Sequence, residues 1–195
     1  MHQNSRRSKD NACETQMNVI GIVGYPASGK GEFSRIAAEN GIPVVVMGDI
    51  IRNRTKAKGL ELTDEHVGAT ARELRAELGM DAVAILTAEE VKRLDTETAV
   101  IDGIRGDAEV NYFRSVFESF TLIFIKADFE IRLSRMQGRG RADDSVTAEA
   151  LSARDAREES FGLARAVSAA DITLVNETER ESFEEEIRNT IRSLA

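Results

Sequence analysis

The run Gly24-Tyr25-Pro26-Ala27-Ser28-Gly29-Lys30-Gly31, followed by Glu32, holds the residue types and spacing best suited to chemistry in this chain. Gly, four residues, then Gly-Lys is the pattern of a phosphate-binding loop, and the pattern has a mechanism. Glycines at 24, 29 and 31 can take dihedrals closed to other residues and put no side chain between amide and ligand. Consecutive N–H groups then converge on an anion at a helix N-terminus, where the macrodipole adds to the attraction. Lys30 is placed to reach the outer phosphates of a nucleoside triphosphate. Residues 24–32 are therefore expected to bind nucleotide, although Gly31 stands where the motif usually has a Ser or Thr for magnesium.

Three further groups of residues could complete such a site. Asp102 closes an apolar run and is a candidate to hold Mg2+, directly or through water, because that hard cation prefers oxygen ligands. Arg132, Arg135 and Arg139 are spaced i, i+3, i+7 and share a helical face. With Arg141 they read either as a solvated basic face paired with Asp128, Glu130 or Asp143, or as catalytic arginines on a flap that stabilise a transferring phosphoryl group. Gly138 and Gly140 would permit hinge motion in a lid at about 138–146, and Asp143, Asp144 and Arg154 are candidates to latch it. Arg52 and Arg105 follow apolar runs and could hold an acceptor's phosphate bidentately. Asp49 could instead take the proton of an acceptor hydroxyl as general base. The sequence leaves these two kinds of acceptor open.

The elements that must position these residues are legible in the hydrophobic patterning. Residues 18–23, 42–46, 98–102, 121–125 and 171–175 are short apolar runs rich in β-branched residues, and each reads as a buried strand. Helical spacing is expected over 32–39, from Ile50 onward, over 64–78, 81–94, 128–137 and 147–167, and in a final helix with Phe183, Ile187, Ile191 and Leu194 on one face. Asp107 is a candidate cap for the helix carrying Val110, Phe113 and Phe117. Strands alternating with helices predict an α/β fold of three layers, a five-stranded parallel sheet between helices, with ligands at the carboxyl ends of the strands. The glycine loop, Asp49, Asp102 and Arg105 all fall at that edge.

Composition narrows the function classes. A net charge of −8 disfavours general nucleic-acid affinity. The one cysteine, Cys13, excludes an intrachain disulfide, and no run approaches the ~18 apolar residues of a membrane span. A cytoplasmic protein is expected, with small-molecule nucleotides as partners and no membrane. Residues 1–16 read as a disordered leader and 17–195 as one domain. His66 reads as an ordinary surface residue, since no other ligand type accompanies it at metal spacing.

These residues resemble the nucleoside monophosphate kinase branch of P-loop proteins, adenylate kinases in particular. The loop from Gly24 to Gly31 is similar to that group's, with Pro third and Gly after Lys. Met47-Gly48-Asp49-Ile50-Ile51-Arg52 resembles its Thr-Gly-Asp-x-x-Arg acceptor motif, and Ile101-Asp102-Gly103-Ile104-Arg105 resembles its Leu-Asp-Gly-Phe-Pro-Arg. Arg135, Arg139 and Arg141-Ala142-Asp143-Asp144 resemble its lid. The closest resemblance is to archaeal proteins related to adenylate and dephospho-coenzyme A kinases, with Ala170 to Asn176 similar to the last strand of the latter.

The resemblance implies transfer of the γ-phosphate of ATP, with Mg2+, to a nucleoside monophosphate or dephospho-coenzyme A type of acceptor. It also implies an acceptor-binding helical region at about 48–95. The alternative is a nucleotide-binding regulatory protein or slow NTPase. Its motives are Glu32, which stands where adenylate kinases have Thr and would place a carboxylate near the phosphates, and Arg105, which comes one residue early and without the proline.

Overall fold

A computed structural model describes residues 17–139 and 147–194 of the chain. The expected leader and most of the expected lid, with Gly140, Arg141, Asp143 and Asp144, lie outside the described residues. The order is β1 (Asn18–Val23), α1 (Lys30–Glu39), β2 (Val44–Val46), α2 (Met47–Ala57), α3 (Asp64–Leu78), α4 (Ala82–Val91) and β3 (Thr98–Ile104). It continues with α5 (Asp107–Val116), β4 (Ser119–Lys126), α6 (Phe129–Arg139), α7 (Ala148–Ser160), α8 (Leu163–Ser168), β5 (Ile172–Val175) and α9 (Arg180–Leu194).

The five strands form one sheet in the order β2-β3-β1-β4-β5, parallel throughout. Successive side chains on a strand point to opposite faces, so each strand supplies two cores. Val19, Val23, Ala99, Ile101 and Leu122 pack with Leu74, Val83, Phe113 and Leu163 from α3, α4, α5 and α8. Ile20, Ile22, Val100, Ile123 and Leu174 pack with Phe33 and Ile36 of α1 and Phe183 and Ile187 of α9. A sheet buried on both faces explains why its strands read as continuous apolar runs. The three-layer architecture is the one that alternating strands and helices predict.

Several boundaries differ from the sequence reading, each for a local reason. β2 begins at Val44 rather than Ile42, because Pro43 has no N–H to give the ladder; only its carbonyl takes part, accepting from Val100 N at 2.9 Å. Met47, Gly48 and Asp49 start α2 rather than extending that strand. β3 runs past Asp102 to Ile104 through an irregularity in its pairing with β1, with Gly103 at φ +100°. The single helix expected over 147–167 is two, broken where Gly162 takes φ +99°. Asp107 is the first residue of α5 and not its cap; its carboxylate pairs with Arg165 at 2.7 Å, which holds its carboxyl below the usual range.

Candidate functional site

At the carboxyl edge of β1 the chain turns through the glycine loop into α1. A Cβ on Gly24 would lie 2.7 Å from Ile125 O and from Ser28 Oγ, so the loop closes down on β4 only with glycine there. Gly29, immediately before α1, has φ +107°, and a Cβ on it would lie 2.1 Å from Asn176 Nδ2. Ala27 also has positive φ, +60°, a strained setting for a residue with a side chain. Lys30 Nζ donates to the carbonyls of Gly24 at 2.6 Å and Tyr25 at 3.0 Å, bridging the mouth of the loop. Desolvation pushes the Lys30 ammonium down to about 8, against the opposing pull of Asp102 and Glu158.

The loop opens onto a crevice of about 790 Å³. Gly24, Pro26, Ala27, Gly29, Lys30, Gly31 and Glu32 line one side of it; Val46, Gly48, Arg52, Asp102, Arg105, Arg154 and Glu158 line much of the rest. Lys30, Asp102, Arg52 and Arg105 are thus brought together as the sequence suggested. Asp102 accepts from Ser34 Oγ at 2.7 Å through Oδ2. Its other oxygen accepts nothing among the described residues. A lone oriented carboxylate beside a phosphate loop fits Mg2+, which takes one or two carboxylates and fills its shell with phosphate and water oxygens. No cluster of three or more His, Cys, Asp or Glu among the described residues offers another site.

Other expectations change on contact with the geometry. Asp49 and Arg52 pair with each other, at 2.6 Å, and Asp49 does not line the crevice. Glu32 reaches the crevice wall, but its carboxylate is held by Arg35 at 2.6 Å and Arg180 at 3.0 Å, so its charge is compensated rather than aimed at phosphate. Arg132 is not on a solvated face or a flap. It is buried, bonded to Asp155 at 2.9 and 2.7 Å and to Pro26 O at 3.3 Å, and stacked near Tyr25 and Phe129. Arg135 donates to Ser28 O at 3.4 Å and to the carbonyl and side-chain oxygens of Asn176 at 2.9 and 3.0 Å. The two arginines therefore grip the backbone of the phosphate loop. Arg139 ends α6, and its side chain lies outside the described residues. His66 is half-buried, with Nδ1 2.9 Å from Glu61 O.

Sequence reasoning missed four contributors. Ser34, one turn after Lys30, orients Asp102. Asn176 is buried and donates to Ser28 O at 2.8 Å, locking the loop from behind. Glu109, nearly fully buried with its carboxyl pushed up by burial, accepts from Arg105 N at 2.8 Å and faces Arg75 at 3.7 Å, which fixes the turn that presents Arg105. Glu158 is buried and pairs with Arg105 Nη1 at 3.0 Å. Arg154, expected only as a latch, lines the crevice, and its Nε is buried without a hydrogen-bond partner among the described residues. Only the helical spacing of Arg154 and Glu158, four apart on α7, could have pointed to this pair.

A parallel sheet ordered β2-β3-β1-β4-β5, with a glycine loop and lysine between its central strand and the next helix, defines a P-loop domain of kinase-like fold. A family model described as an AAA domain matches residues 20–160. The UPF0200 protein of Methanoregula boonei is 55% identical over 178 residues, 91% of this chain and 98% of that protein. That of Methanoculleus marisnigri is 55% identical over 88% of this chain and 94% of its own length. The chain belongs to the UPF0200 family. Solved structures similar in fold include TT1252 from Thermus thermophilus (TM-score 0.62, 19% identity, 92% of this chain and 99% of that one). A gluconokinase from Sinorhizobium meliloti (TM-score 0.56, 16% identity, 91% and 93%) and shikimate kinase from Aquifex aeolicus (0.53, 17%, 90% and 96%) share it too.

Proposed function

We propose that this protein binds a nucleoside triphosphate, ATP in the first instance, with Mg2+ and transfers its γ-phosphoryl group to a small nucleotide or nucleotide-like acceptor bearing a phosphate. One observation carries the reading: Lys30, Asp102, Arg52, Arg105 and Arg154 line a single crevice at the carboxyl edge of the sheet. The loop amides and Lys30 cradle the donor's phosphates. Asp102 is the residue that would hold Mg2+, which when bound would neutralise negative charge on the donor's phosphates. Arg52 and Arg105 hold the acceptor's phosphate in line, and Arg154 stabilises the charge on the transferring group. An acceptor oxygen bonds to the γ-phosphorus as the bond to the β,γ-bridging oxygen breaks, and that oxygen leaves with the diphosphate.

The geometry favours a phosphate over a hydroxyl acceptor. A phosphate monoester, with a second pKa near 6, is already largely ionised at neutral pH and needs no general base. Asp49, the candidate base, stands outside the crevice wall and is bound to Arg52. Arg135, expected as a catalytic arginine, takes the role of positioning the loop, and Arg139 keeps the expected role of a lid arginine. The link to adenylate kinases rests on the loop at 24–31, the motifs at 47–52 and 101–105 and the lid residues, and that to dephospho-coenzyme A kinases on residues 170–176.

The test is incubation with γ-labelled ATP and a panel of nucleoside monophosphates and dephospho-coenzyme A. Label moving to a nucleoside monophosphate is expected, and label moving to dephospho-coenzyme A, which accepts on a hydroxyl, would overturn the preference for a phosphate acceptor. Label found only as free phosphate with every acceptor would support the second reading, a slow NTPase or regulatory nucleotide binder. The pairing of Arg105 with Glu158 favours that reading, because a paired arginine is less available to an acceptor.

A further inference from the structure

Glu158 has no place in the phosphotransfer scheme, yet it projects into the crevice among the cations. It sits on α7 one turn after Arg154, and both side chains line the crevice wall with Lys30 and Arg105. Its carboxylate lies 3.0 Å from Arg105 Nη1 and is itself only 9% exposed, whereas the Arg105 side chain is 49% exposed. One oxygen of the carboxylate, Oε1, occupies Arg105 Nη1, a donor that a phosphate would otherwise take. The carboxylate carries one negative charge where a phosphate monoester brings close to two.

We propose that Glu158 is a specificity-determining residue: an internal carboxylate that competes with phosphate for Arg105, so that only an acceptor making further contacts displaces it. The inference deepens the proposed function and rests on Arg105 being an acceptor-phosphate contact. Two like charges cannot share one guanidinium fork without repulsion. An arriving phosphate must therefore displace Glu158 from Arg105 and push it toward solvent or toward Arg154, whose Nε is without a partner among the described residues. An isolated anion has nothing with which to offset that displacement. An acceptor that also binds Arg52 and the crevice walls does. Discrimination then comes from a built-in competitor as well as from attractive contacts. Glu158 also shares α7 with Asp155 and Glu159, which hold Arg132 and the Tyr25 hydroxyl at the loop, so α7 contacts the donor and acceptor ends of the site.

The experiment titrates inorganic phosphate into wild type, Glu158→Gln, Glu158→Asp and the double variant Glu158→Gln/Arg105→Ala by calorimetry, with thermal unfolding to verify folding. Glu158→Gln removes the charge at constant shape and is expected to tighten phosphate binding about tenfold, as one charge-assisted contact is freed. Glu158→Asp keeps the charge but draws it back by a methylene, and an intermediate gain is expected. The double variant should lose the gain, since phosphate bound at the glycine loop is common to all four proteins. Equal or weaker phosphate affinity in both single variants would overturn the proposal, and so would a gain that survives removal of Arg105. The readout is independent of turnover, so a protein lacking kinase activity altogether would still answer the question.

Discussion

Lys30 couples the chemistry of the loop to pH. Its ammonium is brought down to about 8, chiefly because burial strips it of water. The sign for stability follows from proton counting. The unfolded chain binds more protons at this residue between pH 8 and its ordinary value of 10.5, so the cost of burying the charge is present below pH 8 and is relieved as pH rises. Triphosphate binding runs the other way, because phosphates favour the charged form. Affinity for ATP should fall as pH rises above 8, with uptake of a proton on binding visible as a buffer-dependent calorimetric enthalpy. A flat affinity from pH 7 to 9.5 would contradict this account of Lys30. Ser34 makes a second prediction at this scale. Its hydroxyl bonds one oxygen of Asp102 and leaves the other for the crevice. Ser34→Ala should lower Mg2+-dependent turnover or metal affinity by roughly 10- to 100-fold, the range for groups that orient a metal ligand, with little loss of stability.

The loop owes its shape to two elements distant in sequence, α6 and the end of β5. Arg132 and Arg135 from α6, and Asn176 after β5, donate to the carbonyls of Pro26 and Ser28. Asp155→Ala should leave Arg132 charged, buried and without its bidentate partner, at a cost of about 3–5 kcal/mol read from the urea midpoint. If that midpoint stays put, the clasp is not structural. Gly29→Ala meets both positive φ and the Asn176 amide, so it should weaken nucleotide binding together with stability. These elements also show what the sequence could and could not disclose. The strand, glycine loop and helix at 18–39 were legible because apolar period, glycine spacing and lysine agree within one short stretch. The crevice positions of Arg52, Asp102 and Arg105 were legible too, because each lies at or shortly after the end of an apolar strand run. The partners of Arg132 and Arg135 were not legible. Both arginines share a helical face, but whether that face looks to solvent or to the loop is decided by Asp155 and Asn176, 23 and 41 residues away. Likewise Glu32 looked like a charge against phosphate until Arg180, 148 residues on, was seen to neutralise it.

Across the whole molecule, one sheet buried on both faces holds the crevice rigid from below, and an acidic protein concentrates four cations in it. Core and site should therefore separate experimentally. Phe113, fully buried and ringed by Phe117 and Phe120, should cost about 3–5 kcal/mol as Phe113→Ala, while any surviving folded fraction keeps its nucleotide affinity. Lys30→Met should do the reverse, since it replaces a desolvated cation with an apolar chain of similar length and leaves the fold intact. Calorimetric titration of Mg2+-ATP into wild type and folded Lys30→Met thus bears most directly on the claim that the glycine loop and its lysine cradle a triphosphate. Saturable binding by the wild type and its loss in the variant are predicted. Unchanged affinity in the variant, or no binding by either protein, would contradict it.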